Sequence, residues 1–256
     1  MRFIRFRDQT GLAQFGWVYE DKVGLVKGNI FDEYQRLEAE IPLADVDLLT
    51  PVQPGKIICV GRNYTAHAAE HDVEVPEYPL IFFKPPSSII GPGDPIILPP
   101  QSQQVEHEGE LAVVIGKSGR WLQPDEAVNI VFGYTIANDV TARDLQRKDG
   151  QWARGKGFDT FCPVGPWIDT DFTPADSMLS VHVNEDLHQM APTRDMVFPI
   201  STLIVYISSI MTLEPGDLIL TGTPGGVSPL AAGNQVSVSI DHLGELRNPV
   251  VLENRR

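Results

Sequence analysis

The sequence predicts a mainly β, α+β fold with helices at its periphery. Three observations carry that reading. Short apolar runs of strand length recur along the 256 residues. Turn residues interrupt them about every eight to twelve positions. Helical periodicity is confined to a few segments. The chain holds 22 glycines and 21 prolines, a density of bends that suits a sheet curled on itself.

Residues 1–48 form a small β-rich unit, with "RFIRF", "AQFGWVY" and "KVGLV" as strands and "EYQRLEAE" as a short helix. "LLTPVQPGK" carries two prolines and a glycine and marks a linker into a second unit, 49–256. There the strands are "KIICVG", "PLIFFKP", "DPIILPP", "ELAVVIG" and "VFGYTIAND", and later "LSVHVN", "DLILTG" and "QVSVSIDHLG". "NYTAHAAEHD", "PDEAVNI" and "VTARDLQRK" give short helices, and "PISTLIVYISSIM" the longest, with Ser201 as its cap.

Composition narrows the function. A formal charge of −14 argues against nucleic-acid binding, because phosphate contacts need clustered Lys and Arg. An anionic substrate would need a metal or a local basic cluster to reverse the field. Cys59 and Cys162 are too few for a disulfide scaffold and fit a reducing cytosol. "MRFIRFRD" lacks the apolar core of a signal peptide, and no run approaches a membrane span. The expectation is a cytoplasmic protein that binds neither nucleic acid nor membrane.

The stretch "VEHEGELAVVIG" carries the first chemistry. In an extended chain Glu106, Glu108 and Glu110 share a face that Ala112 and Val114 continue, while Leu111, Val113 and Ile115 fill the other. A strand apolar on both sides is a central, covered one, so the acids stand where it enters the core. In "GYTIANDVTARD", Asp139 lies where a strand gives way to a helix. Read singly, Asp139 is a helix cap and the glutamates a polar strand end. Read together, three carboxylates without cysteine suit a hard cation, Mg²⁺ or Mn²⁺. Without one they would repel each other.

"CVGRNYTAHAAEHD" places His67 and Glu70 at i and i+3 of a helix, where a carboxylate can orient an imidazole as general base. Pairing of His71 with Asp72 stays open on spacing alone. Arg62, Lys84, Arg143, Arg154 and Lys156 lie near these segments and are candidates to grip a carboxylate. "LTGTPGGVSP" is a Gly-rich turn in which Thr223 offers a hydroxyl; it lacks the G-K-[ST] of a phosphate loop.

"GRNYTAHAAE", "FFKPPSSIIGPGDPI", "EHEGELAVVIGK", "GYTIANDVTARDLQ", "RGKGFDTFCPVGPWI" and "LEPGDLILTGTPGGV" occur in the order seen in the fumarylacetoacetate hydrolase family. Over about residues 50–250 the chain resembles that family, and residues 1–48 resemble its small N-terminal domain. The resemblance implies a mixed β-sandwich roll, a homodimer and a divalent metal. It places the metal on Glu108, Glu110 and Asp139, with Glu106 outside the set. It favours His67 with Glu70 as the catalytic dyad. It implies catalysis or substrate binding at Lys156 and substrate binding at Arg62, Tyr64, Gln146 and Thr223.

The resemblance further implies a metal-dependent enzyme acting on a small 2-oxo or 1,3-dicarbonyl carboxylic acid through an enolate, by hydrolysis of an acylpyruvate-type C–C bond or by decarboxylation of oxaloacetate. One alternative is the isomerase or decarboxylase of carboxymethyl-hydroxymuconate. Another is a catalytically silent metal-binding module, against which the presence of both His67 and Glu70 speaks. The polar, Pro-bounded stretch from Thr65 to about Pro79 reads as a lid that orders on ligand binding.

Overall fold

A computed structural model describes residues 1–70 and 74–254. The first five strands are β1 (Arg2–Arg7), β2 (Ala13–Tyr19), β3 (Lys22–Gly28), β4 (Tyr34–Pro42) and β5 (Asp47–Leu49). Then come β6 (Ile57–Gly61), helix α1 (Thr65–Glu70), β7 (Leu80–Lys84), β8 (Ile89–Ile90), β9 (Ile96–Leu98), β10 (Val105–Glu106) and β11 (Gly109–Ile115). Helix α2 (Pro124–Ala127), β12 (Val131–Asn138), β13 (Thr141–Ala142), α3 (Arg143–Asp149), α4 (Ala153–Lys156) and β14 (Cys162–Asp169) follow. The chain closes with β15 (Met178–Val183), β16 (Asp186–Pro192), α5 (Ile200–Ile210), β17 (Leu218–Leu220), β18 (Gln235–Ile240) and β19 (Gly244–Leu252).

The main sheet runs β4-β3-β2-β1-β14-β12-β11-β17-β6-β7, and a five-stranded sheet runs β16-β15-β18-β19-β9. Most pairs are antiparallel, but β17 with β6, β19 with β9 and β14 with β8 are parallel. The architecture is the expected mixed β fold with peripheral helices. The N-terminal strands continue the main sheet, since β1 pairs with β14 at Arg2–Asp169 and Phe3–Ile168. No helix among the described residues is long and apolar enough to cross a membrane.

Strand β11 lies between β12 and β17 and is buried at all seven residues. Leu111, Val113 and Ile115 enter the larger core, and Ala112 and Val114 a second core on the other face. Its two-sided apolar pattern therefore does what it predicts.

Several local expectations are corrected. "EYQRLEAE" is strand β4, paired with β3. Leu37, Ala39 and Ile41 are its half-buried positions, a period of two that a strand satisfies and a helix does not. Ser201 does not cap α5; Pro199 stands at the N-cap and Ser201 lies inside the first turn. The acidic strand is broken between β10 and β11, so His107 and Glu108 belong to no strand. His71 and Asp72, and residues 71–73 of the expected lid, lie outside the described residues.

Candidate active site

The end of β12 and the start of β11 bring the acids together. The Asp139 amide donates to the Glu108 carbonyl at 2.8 Å, and the Glu108 amide to Asn138 Oδ1 at 2.9 Å. Glu108, Glu110 and Asp139 each offer an oxygen, all within 4.8 Å of one another. They are buried, at 4%, 2% and 1% exposure. Three such groups inside a protein need compensating charge.

Most of that compensation comes from buried cations. Lys156 Nζ donates to Glu108 Oε2 at 2.8 Å and Asp139 Oδ2 at 2.6 Å. Lys84 Nζ donates to Asp139 Oδ1 at 2.6 Å. Arg143 spans Glu106 Oε2 at 2.7 Å and Glu108 Oε1 at 2.5 Å. Lys84 and Arg143 are thus committed to the protein's own acids, although from the sequence both could grip a substrate. Arg154 pairs with Asp149 on the surface.

Burial works to raise the Glu108 carboxyl, but the charges of Lys156 and Arg143 outweigh it and hold the group below the carboxylate range. Glu110 has no ion-pair partner among the described residues. Its Oε2 accepts the Gly222 amide at 2.7 Å. Burial, then the neighbouring Asp139 and Glu108 charges, push its pKa well up. This all-oxygen donor set, with one carboxylate lacking a counter-charge, fits a hard divalent cation. Gly222 must be glycine here, because its φ is +97° and a Cβ would sit 2.7 Å from Asn63 Cβ.

The dyad arrives on α1, with His67 buried and Glu70 half exposed at its side chain. His67 Nδ1 lies 3.5 Å from Glu70 Oε2. Asn63 anchors the approach to this helix: its Nδ2 donates to Thr221 O and Phe198 O, and its Oδ1 accepts the Phe198 amide. Sequence reasoning passed over Asn63, whose buried amide is visible only once the β17 end and the α5 approach meet.

A cavity of about 540 Å³ joins these parts. His67, Glu70, Glu108 and Glu110 line it, together with Arg62, Gln146, Lys156 and Thr223. Asp139 stands behind this wall. Tyr64 is not among the residues lining the cavity: it is 2% exposed, its main chain bridges to Met196, and burial with the nearby Glu110 charge pushes its hydroxyl pKa up. Arg147 and Trp152, which the sequence did not single out, do line it. Arg62 holds a positive φ of 58°, a costly conformation for a non-glycine residue.

Residues 56–251 match the model of the fumarylacetoacetate (FAA) hydrolase C-terminal family. The chain belongs to the fumarylacetoacetate hydrolase family. Residues 1–51 match the Rv2993c-like N-terminal model. Among family relatives, the mitochondrial oxaloacetate tautomerase Fahd2a of Rattus norvegicus is 47% identical, over 82% of this chain and 71% of that protein. A solved structure named 2-hydroxyhepta-2,4-diene-1,7-dioate isomerase, from Mycobacterium marinum, superposes with a TM-score of 0.92 at 43% identity, covering 100% of both chains. Maleylpyruvate hydrolase of Sphingobium sp. SYK-6, solved with manganese(II) and pyruvate, gives 0.82 at 36% identity, covering 99% of this chain and 100% of that one.

Proposed function

We propose that this family member is a divalent-cation-dependent enzyme that moves a proton next to the carbonyl of a small 2-oxo dicarboxylic acid, as in keto–enol interconversion of oxaloacetate. The observation that carries this reading is one cavity lined by both an imidazole–carboxylate pair and two acids, Glu108 and Glu110, of an all-oxygen cation site. The tautomerase and isomerase names of the relatives above support it.

A cation held by Glu108, Glu110 and Asp139 supplies Lewis acidity toward the 2-oxo group. His67 is the base. Glu70 sits on its Nδ1 side, which leaves Nε2 to take the proton. Lys156 and Arg143 hold Glu108 ionised throughout.

Charge bookkeeping supports the dicarboxylate. With Glu110 ionised, as it would be beside a bound cation, Glu106, Glu108, Glu110 and Asp139 carry four negative charges against the three positive ones of Lys84, Arg143 and Lys156, which leaves one negative charge. A divalent cation converts that into one positive charge. Arg62 and Arg147 line the same cavity, make no ion pair with a described acid, and add two, against one from Glu70. Two net positive charges complement a dianion.

A second reading, hydrolysis of a C–C bond in a 1,3-dicarbonyl acid, draws on the maleylpyruvate hydrolase likeness. The deciding experiment follows oxaloacetate enol decay and pyruvate release side by side, with Mn²⁺ and with EDTA, next to acetylpyruvate. EDTA-sensitive enol decay without pyruvate supports the tautomerase. Rapid cleavage of acetylpyruvate moves the assignment to the hydrolase. Full activity in EDTA removes the cation from both.

A further inference from the structure

Strand β16 is the edge of the five-stranded sheet, and its one fully buried residue is Gln189, at 0% exposure. A polar side chain turns inward from an otherwise open strand only where its bonding groups are met. Gln189 Nε2 donates to Thr223 Oγ1 at 2.8 Å and to the Pro224 carbonyl at 2.6 Å. Its Oε1 accepts the Gly109 amide at 3.0 Å and faces His107 Nδ1 at 3.1 Å.

These partners allow one proton arrangement. An amide N–H only donates and a carbonyl only accepts, so Gly109 and Pro224 set which end of the Gln189 amide is which. His107 must then carry its proton on Nδ1 and accept at Nε2 from Ser228 Oγ, 2.9 Å away. Thr223, receiving the Gln189 N–H, turns its own proton to the Gly109 carbonyl at 2.9 Å.

The position of Gly109 makes this consequential, because it links Glu108 to Glu110. On the β17 side of β11, the Thr221 amide bonds the Leu111 carbonyl as main chain does. At Gly109 the pairing with β17 has ended, and among the described residues the Gln189 and Thr223 side chains take both of its main-chain groups on that side. The same turn reaches the dyad. Gly226 has φ +99°, a Cβ there would run into the His188 carbonyl, and its amide faces both carboxylate oxygens of Glu70 at 3.2 and 3.3 Å.

We propose that Gln189 is a positioning residue that sets the site's geometry, holding Gly109 between the two glutamates with its oxygen and the Thr223–Gly226 turn, hence Glu70, with its nitrogen. The glutamate half rests on the cation reading above; the turn half does not.

Two variants separate the halves. Gln189→Met loses every contact, whereas Gln189→Glu keeps the acceptor contacts and loses the donor ones. Mn²⁺ affinity is measured by calorimetry, steady-state KM and kcat with oxaloacetate, and Tm in EDTA. Gln189→Met is expected to weaken Mn²⁺ binding about 10- to 100-fold, the usual effect of groups that orient metal ligands. Gln189→Glu is expected to keep Mn²⁺ affinity within about threefold and to raise KM about tenfold. If Gln189→Met does not fold, the isosteric Gln189→Glu carries the test. A lowered Tm with wild-type Mn²⁺ affinity, KM and kcat in both variants would make Gln189 merely structural and overturn the proposal. Wild-type protein that binds no Mn²⁺ would instead refute the cation reading and the glutamate half with it. The KM of Gln189→Glu would then decide the turn half alone.

Discussion

Nζ of Lys156 lies 2.6 Å from Oδ2 of Asp139, with both side chains almost wholly removed from water. The ammonium also bonds Glu108, so one cation from α4 ties together acids from two segments. Burial alone would lower the lysine pKa, but the Asp139 and Glu108 charges raise it above the usual value. Lys156 stays charged, and the acids depend on it.

Lys156→Met should therefore destabilise the protein in EDTA by about 3–5 kcal/mol, the cost of stranding a buried partner. Because Mn²⁺ would take over part of the neutralisation, it should raise Tm more in this variant than in wild type. Scanning calorimetry with and without Mn²⁺ checks both statements. A variant as stable as wild type in EDTA would contradict the ion-pair account.

His67→Gln removes the proposed base while leaving Glu108, Glu110 and Asp139 in place. Proton transfer should slow by about 10²- to 10⁴-fold, with Mn²⁺ affinity changed less than a few-fold. Stopped-flow enol decay and Mn²⁺ titration give the two numbers. Wild-type turnover would sink the role given to the dyad.

Arg147 is exposed on α3 at the cavity wall, so its replacement should cost little stability. Arg147→Met is expected to raise KM for oxaloacetate about tenfold with kcat nearly unchanged, the signature of lost uniform binding. Inhibition by pyruvate, which has one carboxylate, should not change. Equal effects on both ligands would argue against a second-carboxylate contact.

His107 supplies a pH dependence. Burial lowers its pKa to about 4, although the Gln189 contact works the other way. In the unfolded chain an imidazole titrates near ~6.5, so the unfolded state gains the proton first as pH falls. The neutral buried ring thus stabilises fully above that value, and the contribution is lost progressively as pH drops toward the folded pKa. From pH 7.5 to 5.5 the loss should be about 1.4 kcal/mol. Urea unfolding of wild type against His107→Phe should show the difference. An identical pH slope in both would mean that His107 does not titrate as described.

Much of this molecule is legible in the order of its residues. The alternation from Glu110 to Ile115 marks a strand covered on both faces, and the i, i+3 spacing of His67 and Glu70 marks a shared helix face. The motif order of residues 50–250 marks the family. These are local patterns, and a backbone period of 2 or 3.6 turns them directly into geometry. "EYQRLEAE" shows the limit: its charges suit a helix, its apolar positions a strand, and pairing with β3 decides between them.

Only the tertiary structure decided which charges are spent inside the protein and which remain for a ligand. Lys84, Arg143 and Lys156 have no sequence relation to Glu106, Glu108 and Asp139, yet they neutralise them, while Arg62 and Arg147 stay available. Gln189 reaches Gly109 from a strand 80 residues away in another sheet. The physical reason is common to all of them. A buried polar group is stable only with its partner in contact, and contacts between distant segments are set by how sheets pack.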